Sequence, residues 1–238
     1  MDILTLFACF ETLMSKASIR QFAVIADAML SMTGRITMLG LSRWTQEGGS
    51  YRTINRFFAT SRAWQVLQVK FFQSHLFNSA EEYIIVGDET VISKAGSRTF
   101  GLGRFFSGLQ GRVIKGLSFF VFSLCNVNQS QSAPVSVKQV LKQPGEKPAP
   151  KKKKNKKVKT RRGRKAGSRN KDKKELNLSP ELKRISEMLA GLLKLIREFV
   201  RVKYLALDGH FGHHQAVLMA QKARFAFGQP IQKRCRFV

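Results

Sequence analysis

Acidic residues are what this sequence has least of for its size. Across 238 residues there are 15 Asp and Glu against 42 Lys and Arg, a formal net charge of +27. Self-repulsion on that scale disfavours compaction unless a polyanion offsets it, so nucleic acid is the default partner. Cysteine is also sparse. Cys9, Cys125 and Cys235 are odd in number and far apart, with no CxxC spacing, which argues against a disulfide framework and a zinc ribbon and leaves reduced, mostly buried thiols. Long apolar runs are missing too: the longest, "GLSFFVFSLCNV" from Gly116 to Val127, is too short to span a bilayer and reads as a buried strand. The opening "MDILTLFACFETLM" begins with an acid and has neither a basic leader nor a small-residue cleavage site, so a cytoplasmic, nucleoid-associated protein is expected rather than a secreted or membrane one. One absence is local. From Gly209 to Val238 there is no Asp and no Glu.

What is there suffices for a core, with 43% hydrophobic residues and 19 Phe. Residues 1–80 carry helical spacing, as in Ile3, Leu6, Phe7, Phe10 and Leu13, and again in Ile19, Phe22, Ile25, Ala26 and Met29. Within "ITMLGLSRWTQEGGSYRTINRFFA", Gly48 and Gly49 break the pattern and Ser50 can cap a second helix through its side-chain oxygen. On that helix Ile54, Phe57 and Phe58 are expected inward, while Arg52, Asn55 and Arg56 face out. A helix-turn-helix reading puts Arg52 and Arg56 on DNA; an ordinary amphipathic hairpin explains the pattern as well.

From Tyr83 the period becomes strand-like in "YIIVGDET", "RTFGLGRFFS" and "VIKGLSFFVFSLCNV", which implies a three-stranded antiparallel meander over 81–141, with a break at 126–133. Residues 142–178 form a biased insert. Between Lys147 and Lys174 stand sixteen Lys or Arg against one acid, Asp172, so the tract cannot build a core of its own. Residues 179–238 are expected to hold a helix, a strand and a helix. Ser179 caps, Pro180 takes the first helical position, and Leu182, Ile185, Leu189, Leu192, Leu193 and Ile196 make an apolar stripe. Strands that alternate with helices beside a meander suggest a mixed sheet in which the later strand lies next to the first and parallel to it.

Asp88 in "YIIVGDET" and Asp208 in "YLALDGHFGHH" each close an apolar run, and Gly209 after the second allows a sharp turn or a close approach by a ligand. Singly, each suits turn chemistry. As a pair on neighbouring strands their repulsion calls for a cation, and Mg²⁺ (or Mn²⁺) fits the oxygen donors, with Asp88 and Asp208 as catalytic and metal-binding residues. His210, His213 and His214 invite a zinc reading, but the glycines at 209 and 212 favour a loop and a polar helix start instead.

The stretches "VGDET" at 86–90, "VIKGLSFFVFSL" at 113–124 and "LALDGHFGHHQAVLMAQKA" at 205–223 resemble the catalytic core of DDE transposases from bacterial insertion sequences. "SRWTQEGGSYRTINRFF" at 42–58 is similar to the DNA-binding part of the same proteins, and the basic insert resembles theirs. The resemblance spans about 30 to 223. It implies an α/β (α+β) architecture: an RNase H-like mixed sheet behind a helical, helix-turn-helix-like domain. It also implies Mg-dependent cutting of DNA at transposon ends and joining to target DNA, with a possible homodimer. Asp88 and Asp208 match the first two acids of the family's triad. The third, a glutamate on a later helix, has no counterpart, and Gly228 and Pro230 stand where a fifth strand should run. A frameshifted or truncated, catalytically incomplete chain is therefore expected. Glu187 and Glu198, both expected on the helix before the later strand, are the upstream acids that could be offered as substitutes, and both are expected to face solvent. The insert's Lys151, Lys152, Lys153, Lys154, Arg161, Arg162, Arg164 and Lys165 are expected on DNA, either as a polycation on phosphates or as a minor-groove arm around Gly163. A second class of function stays open: a non-enzymatic basic nucleic-acid-binding protein or transposition inhibitor.

Overall fold

The computed structural model describes residues 2–45, 48–142 and 178–225. Its helices are α1 (Ile3–Phe7), α2 (Lys16–Ser31), α3 (Met38–Trp44), α4 (Tyr51–Ala59), α5 (Trp64–His75), α6 (Pro180–Ile196) and α7 (His214–Lys222). Its strands are β1 (Tyr83–Ser93), β2 (Gly103–Ser107), β3 (Arg112–Asn126), β4 (Gln131–Val140) and β5 (Leu205–Leu207). Three of the helices before the first strand, α2, α3 and α4, start at a serine or threonine. Ser15 and Thr37 accept from the backbone N–H three residues on, the N-cap bond that satisfies a free helical donor. Ser50 takes the cap position of α4, but its hydroxyl pairs with Thr53 Oγ1 at 3.3 Å rather than with a backbone N–H, which corrects the expected side-chain cap.

By internal packing the described residues fall into two units, the first holding those within 2–86, 122–137 and 188–203 and the second those within 87–121, 138–142, 178–187 and 204–225. In the first, two apolar clusters form the helical core. One gathers Ile25, Ala28, Leu41, Ile54 and Phe57, and the other Phe10, Ile19 and Leu67. Phe22 serves both, stacking on Phe7 with ring centroids 4.5 Å apart. Ala23 and Ala28, not Ala26 and Met29, complete the buried stripe of α2, and Leu13 is exposed, because the first helix ends at Phe7 and passes into a 3-10 turn over Ala8–Phe10. Burial pushes the Cys9 thiol up, and its S–H donates to the Leu6 carbonyl, in keeping with an unreactive thiol.

The sheet order is β2-β3-β1-β5, with β4 also paired to β3. This corrects the meander. The first strand pairs with β3, not with β2, because the long, regularly buried β3 takes the place between them, with β1 on one edge and β2 on the other, along Arg112 to Gly116. The strand β4 was not expected. Asn126 makes the preceding turn with its own side chain, accepting from the N–H groups of Asn128 and Gln129, and the Glu81 carboxylate accepts from both of their side-chain amides. What reads as a break is a loop of four residues, and Pro134, which cannot donate to a ladder, is tolerated in a strand that pairs with β3 alone. Along β3 the alternation is regular, with Gly116, Ser118, Phe120, Phe122, Leu124 and Asn126 buried. At α6 the expectation is met residue by residue. Ser179 Oγ accepts from Leu182 N–H at 3.2 Å, and all six residues of the apolar stripe are buried.

Candidate active site

β1 and β5 are hydrogen-bonded neighbours; Asp88 stands on the first and Asp208 directly follows the second. Asp88 is the sixth residue of β1, not its last. The β-branched Thr90, Val91 and Ile92 extend the strand to Ser93. Asp88 lies on the exposed face, and its Oδ1 accepts from the Glu89 N–H at 2.8 Å. Glu89 points the other way, as period-two alternation requires, and its carboxylate accepts a short hydrogen bond from the Ser118 hydroxyl. Ser118 is 0% exposed. That bond anchors β1 to β3 directly behind Asp88. The serine, alone among aromatic and aliphatic neighbours in "LSFFVF", was the available clue to it.

Asp208 follows β5 and caps a 3-10 turn over Gly209–Phe211, its Oδ1 accepting from Gly209 N–H at 2.6 Å. Phe211 is buried and meets Phe120 of β3 edge-on, ring centroids 6.2 Å apart. The aromatic of the Asp-Gly-aromatic turn therefore pins Asp208 to the sheet. Gly209 has open space where a Cβ would stand and no positive φ, so nothing among the described residues demands a glycine there. Asp208, like Asp88, is exposed, and neither has a cationic partner among the described residues.

The histidines behave as a polar helix start. His213 caps α7, its Nδ1 accepting from Ala216 N–H at 3.4 Å, while His210 Nε2 lies 3.7 Å from a carboxylate oxygen of Glu181, in the first turn of α6. Among the described residues no three His, Cys, Asp or Glu side chains gather closely enough to hold a metal. Asp88 and Asp208 supply hard oxygen donors of the kind Mg²⁺ prefers, but only as a pair, so such an ion would keep several waters or draw ligands from elsewhere. Glu187 is exposed on α6. Glu198 is exposed in the turn after that helix rather than on it, a correction that follows from α6 ending at Ile196.

On α4, Arg52, Asn55 and Arg56 are exposed and Ile54 and Phe57 buried, as the spacing requires. Phe58 does not turn inward. It is 40% exposed and meets Phe57 edge-on, because it lies one residue past the buried i, i+3 pair. Lys151, Lys152, Lys153, Lys154, Arg161, Arg162, Arg164 and Lys165 lie outside the described residues.

A five-stranded mixed sheet with helices before and between its strands, with one acid on a strand and another just after its neighbour, defines an RNase H-like nuclease class. Within it, the family described as DDE superfamily endonuclease matches residues 5–225, and the chain belongs to that family, the DDE-type transposases. No curated protein and no solved structure gives a significant match.

Proposed function

We propose that this chain is a DNA transposase of the insertion-sequence kind whose metal site is built on Asp88 and Asp208. The observation that carries the reading is the adjacency of β1 and β5 in a chain of the DDE family. A divalent ion, when bound, would supply charge stabilisation for the attacking and leaving oxygens of a phosphodiester. The chain's own part is to hold the two carboxylates: Asp88 on a strand locked by the Glu89–Ser118 bond, Asp208 on a turn locked by Phe211. Arg52 and Arg56 engage DNA from the helical residues 1–80, and the basic insert holds phosphates of the transposon end or target. Since residues 209–238 carry no acid, the chain by itself binds metal and DNA without cleaving.

Titration with Mn²⁺, followed by the loss of its free-ion paramagnetic resonance signal, tests the site. Asp88→Asn and Asp208→Asn should each weaken binding at least about tenfold. Equal binding by both variants would remove the site from these residues. Cleavage of labelled DNA by the unaltered chain in Mn²⁺ would overturn the claim that it does not cut.

A further inference from the structure

The hairpin formed by β2 and β3 exposes apolar side chains that no structural role accounts for. Its register pairs Arg104 with Lys115 and Phe106 with Val113. In an antiparallel pair, partners opposite each other and residues two apart share a face, so these four side chains form one patch. All four are exposed, Phe106 at 64% and Val113 at 55%. At the tip, in the loop Gly108-Leu109-Gln110-Gly111, Leu109 is 98% exposed. The other face is closed, since Phe105 is buried under the Lys142 ammonium, 4.7 Å from its ring centre. The loop is shaped, not slack. Gly111 has φ +60°, Gln110 N–H donates to Ser107 Oγ, and Arg112 Nε donates to Gln110 Oε1 at 3.2 Å.

Charge decides what can cover this patch. From Thr90 to Gly145 there is no Asp or Glu, whereas Lys94, Arg98, Arg104, Arg112 and Lys115 lie in and around the hairpin. The two long segments of the chain outside the described residues are basic too: the insert, and 226–238 with Lys233, Arg234 and Arg236 and no acid. A second copy carries the same +27. Each would be repelled where a polyanion is attracted.

We propose that the β2–β3 hairpin is a DNA wedge: Arg104 and Lys115 hold phosphates while Phe106 and Leu109 enter the duplex and unstack a base step. Apolar side chains flanked by cations are the chemistry that opens a step, the unstacking being offset by the contacts the bent duplex gains. The inference rests on the DNA-acting reading above.

The test uses the full chain and an A·T-rich duplex of about 40 base pairs with 2-aminopurine at roughly one adenine in four, so that binding register does not matter. Unstacking brightens the probe. The unaltered protein should bind and raise its fluorescence about threefold or more, while Phe106→Ala/Leu109→Ala should keep affinity within about threefold and lose the rise. Arg104→Ala/Lys115→Ala should lose affinity instead. Both positions of the first variant are exposed, so its melting temperature should match that of the unaltered protein; if it does not, Leu109→Ser alone takes its place. Binding without brightening, or brightening undiminished in the variant, overturns the wedge and leaves the proposed function standing. No binding by the unaltered protein overturns both.

Discussion

Ser118 shows how one residue positions a neighbour it never touches. Its hydroxyl is fully buried and donates to Glu89, so the strand that carries Asp88 is held to β3 one residue beyond the exposed acid. A hydrogen bond to a charged group is worth about 1.5–3 kcal/mol. Glu89 is only half-buried, so water can replace part of the lost bond, and Ser118→Ala should cost about 1–2 kcal/mol of stability by urea unfolding. A double-mutant cycle with Glu89→Gln would assign the cost. Coupling near zero would mean that the bond contributes nothing and that Asp88 is oriented by the strand alone. At this scale much was legible. The opposite faces of Asp88 and Glu89, the Ser179 cap and the six buried residues of α6 follow from alternation, capping chemistry and helical period. Phe58 and the Ser50 hydroxyl were misjudged because two options there differ by one residue or one acceptor, and only neighbours decide between them.

At the scale of elements, the close approach of β1 to β3 is set by a glycine. A Cβ at Gly116 would stand 2.2 Å from the Ile92 carbonyl oxygen, a backbone atom that cannot swing aside. Gly116→Ala should therefore force the strands apart at the far end of β1 and lower stability by about 1–3 kcal/mol, read as a reduced urea midpoint. An unchanged midpoint would show that β1 frays beyond Asp88. The elements that sequence missed share one cause. β4 follows a turn made by an asparagine side chain and contains a proline, two features that read locally as a break; pairing with β3 keeps the segment extended. Nor can the full strand order be read from strand sequence, because the patterns of β1 and β2 suit pairing with each other as well as with β3, and only the fold puts β3 between them.

For the molecule as a whole, charge governs how it meets a partner. A chain of +27 that acts on DNA should show an affinity that falls steeply with salt, the log–log slope growing by about 0.9 for each phosphate neutralised. Removing residues 143–177, which hold sixteen Lys or Arg between Lys147 and Lys174, should flatten that slope while leaving Mn²⁺ binding intact. A slope that does not change on removal would take the insert out of the DNA interface. No helix among the described residues is long and apolar enough to cross a membrane.

The sequence by itself determined what depends on neighbours along the chain: helix caps and stripes, the strand faces, the charge and the kind of partner it attracts, and which two aspartates stand after apolar runs. Tertiary structure alone decided what depends on residues far apart. It set β1 against β3 instead of β2, put Ser118 on Glu89 and Phe120 on Phe211, and left the β2–β3 hairpin bare. The reason is that periodicity assigns a side chain to a face, whereas which strand lies against that face is settled only by the competition among all strands for burial and hydrogen bonds.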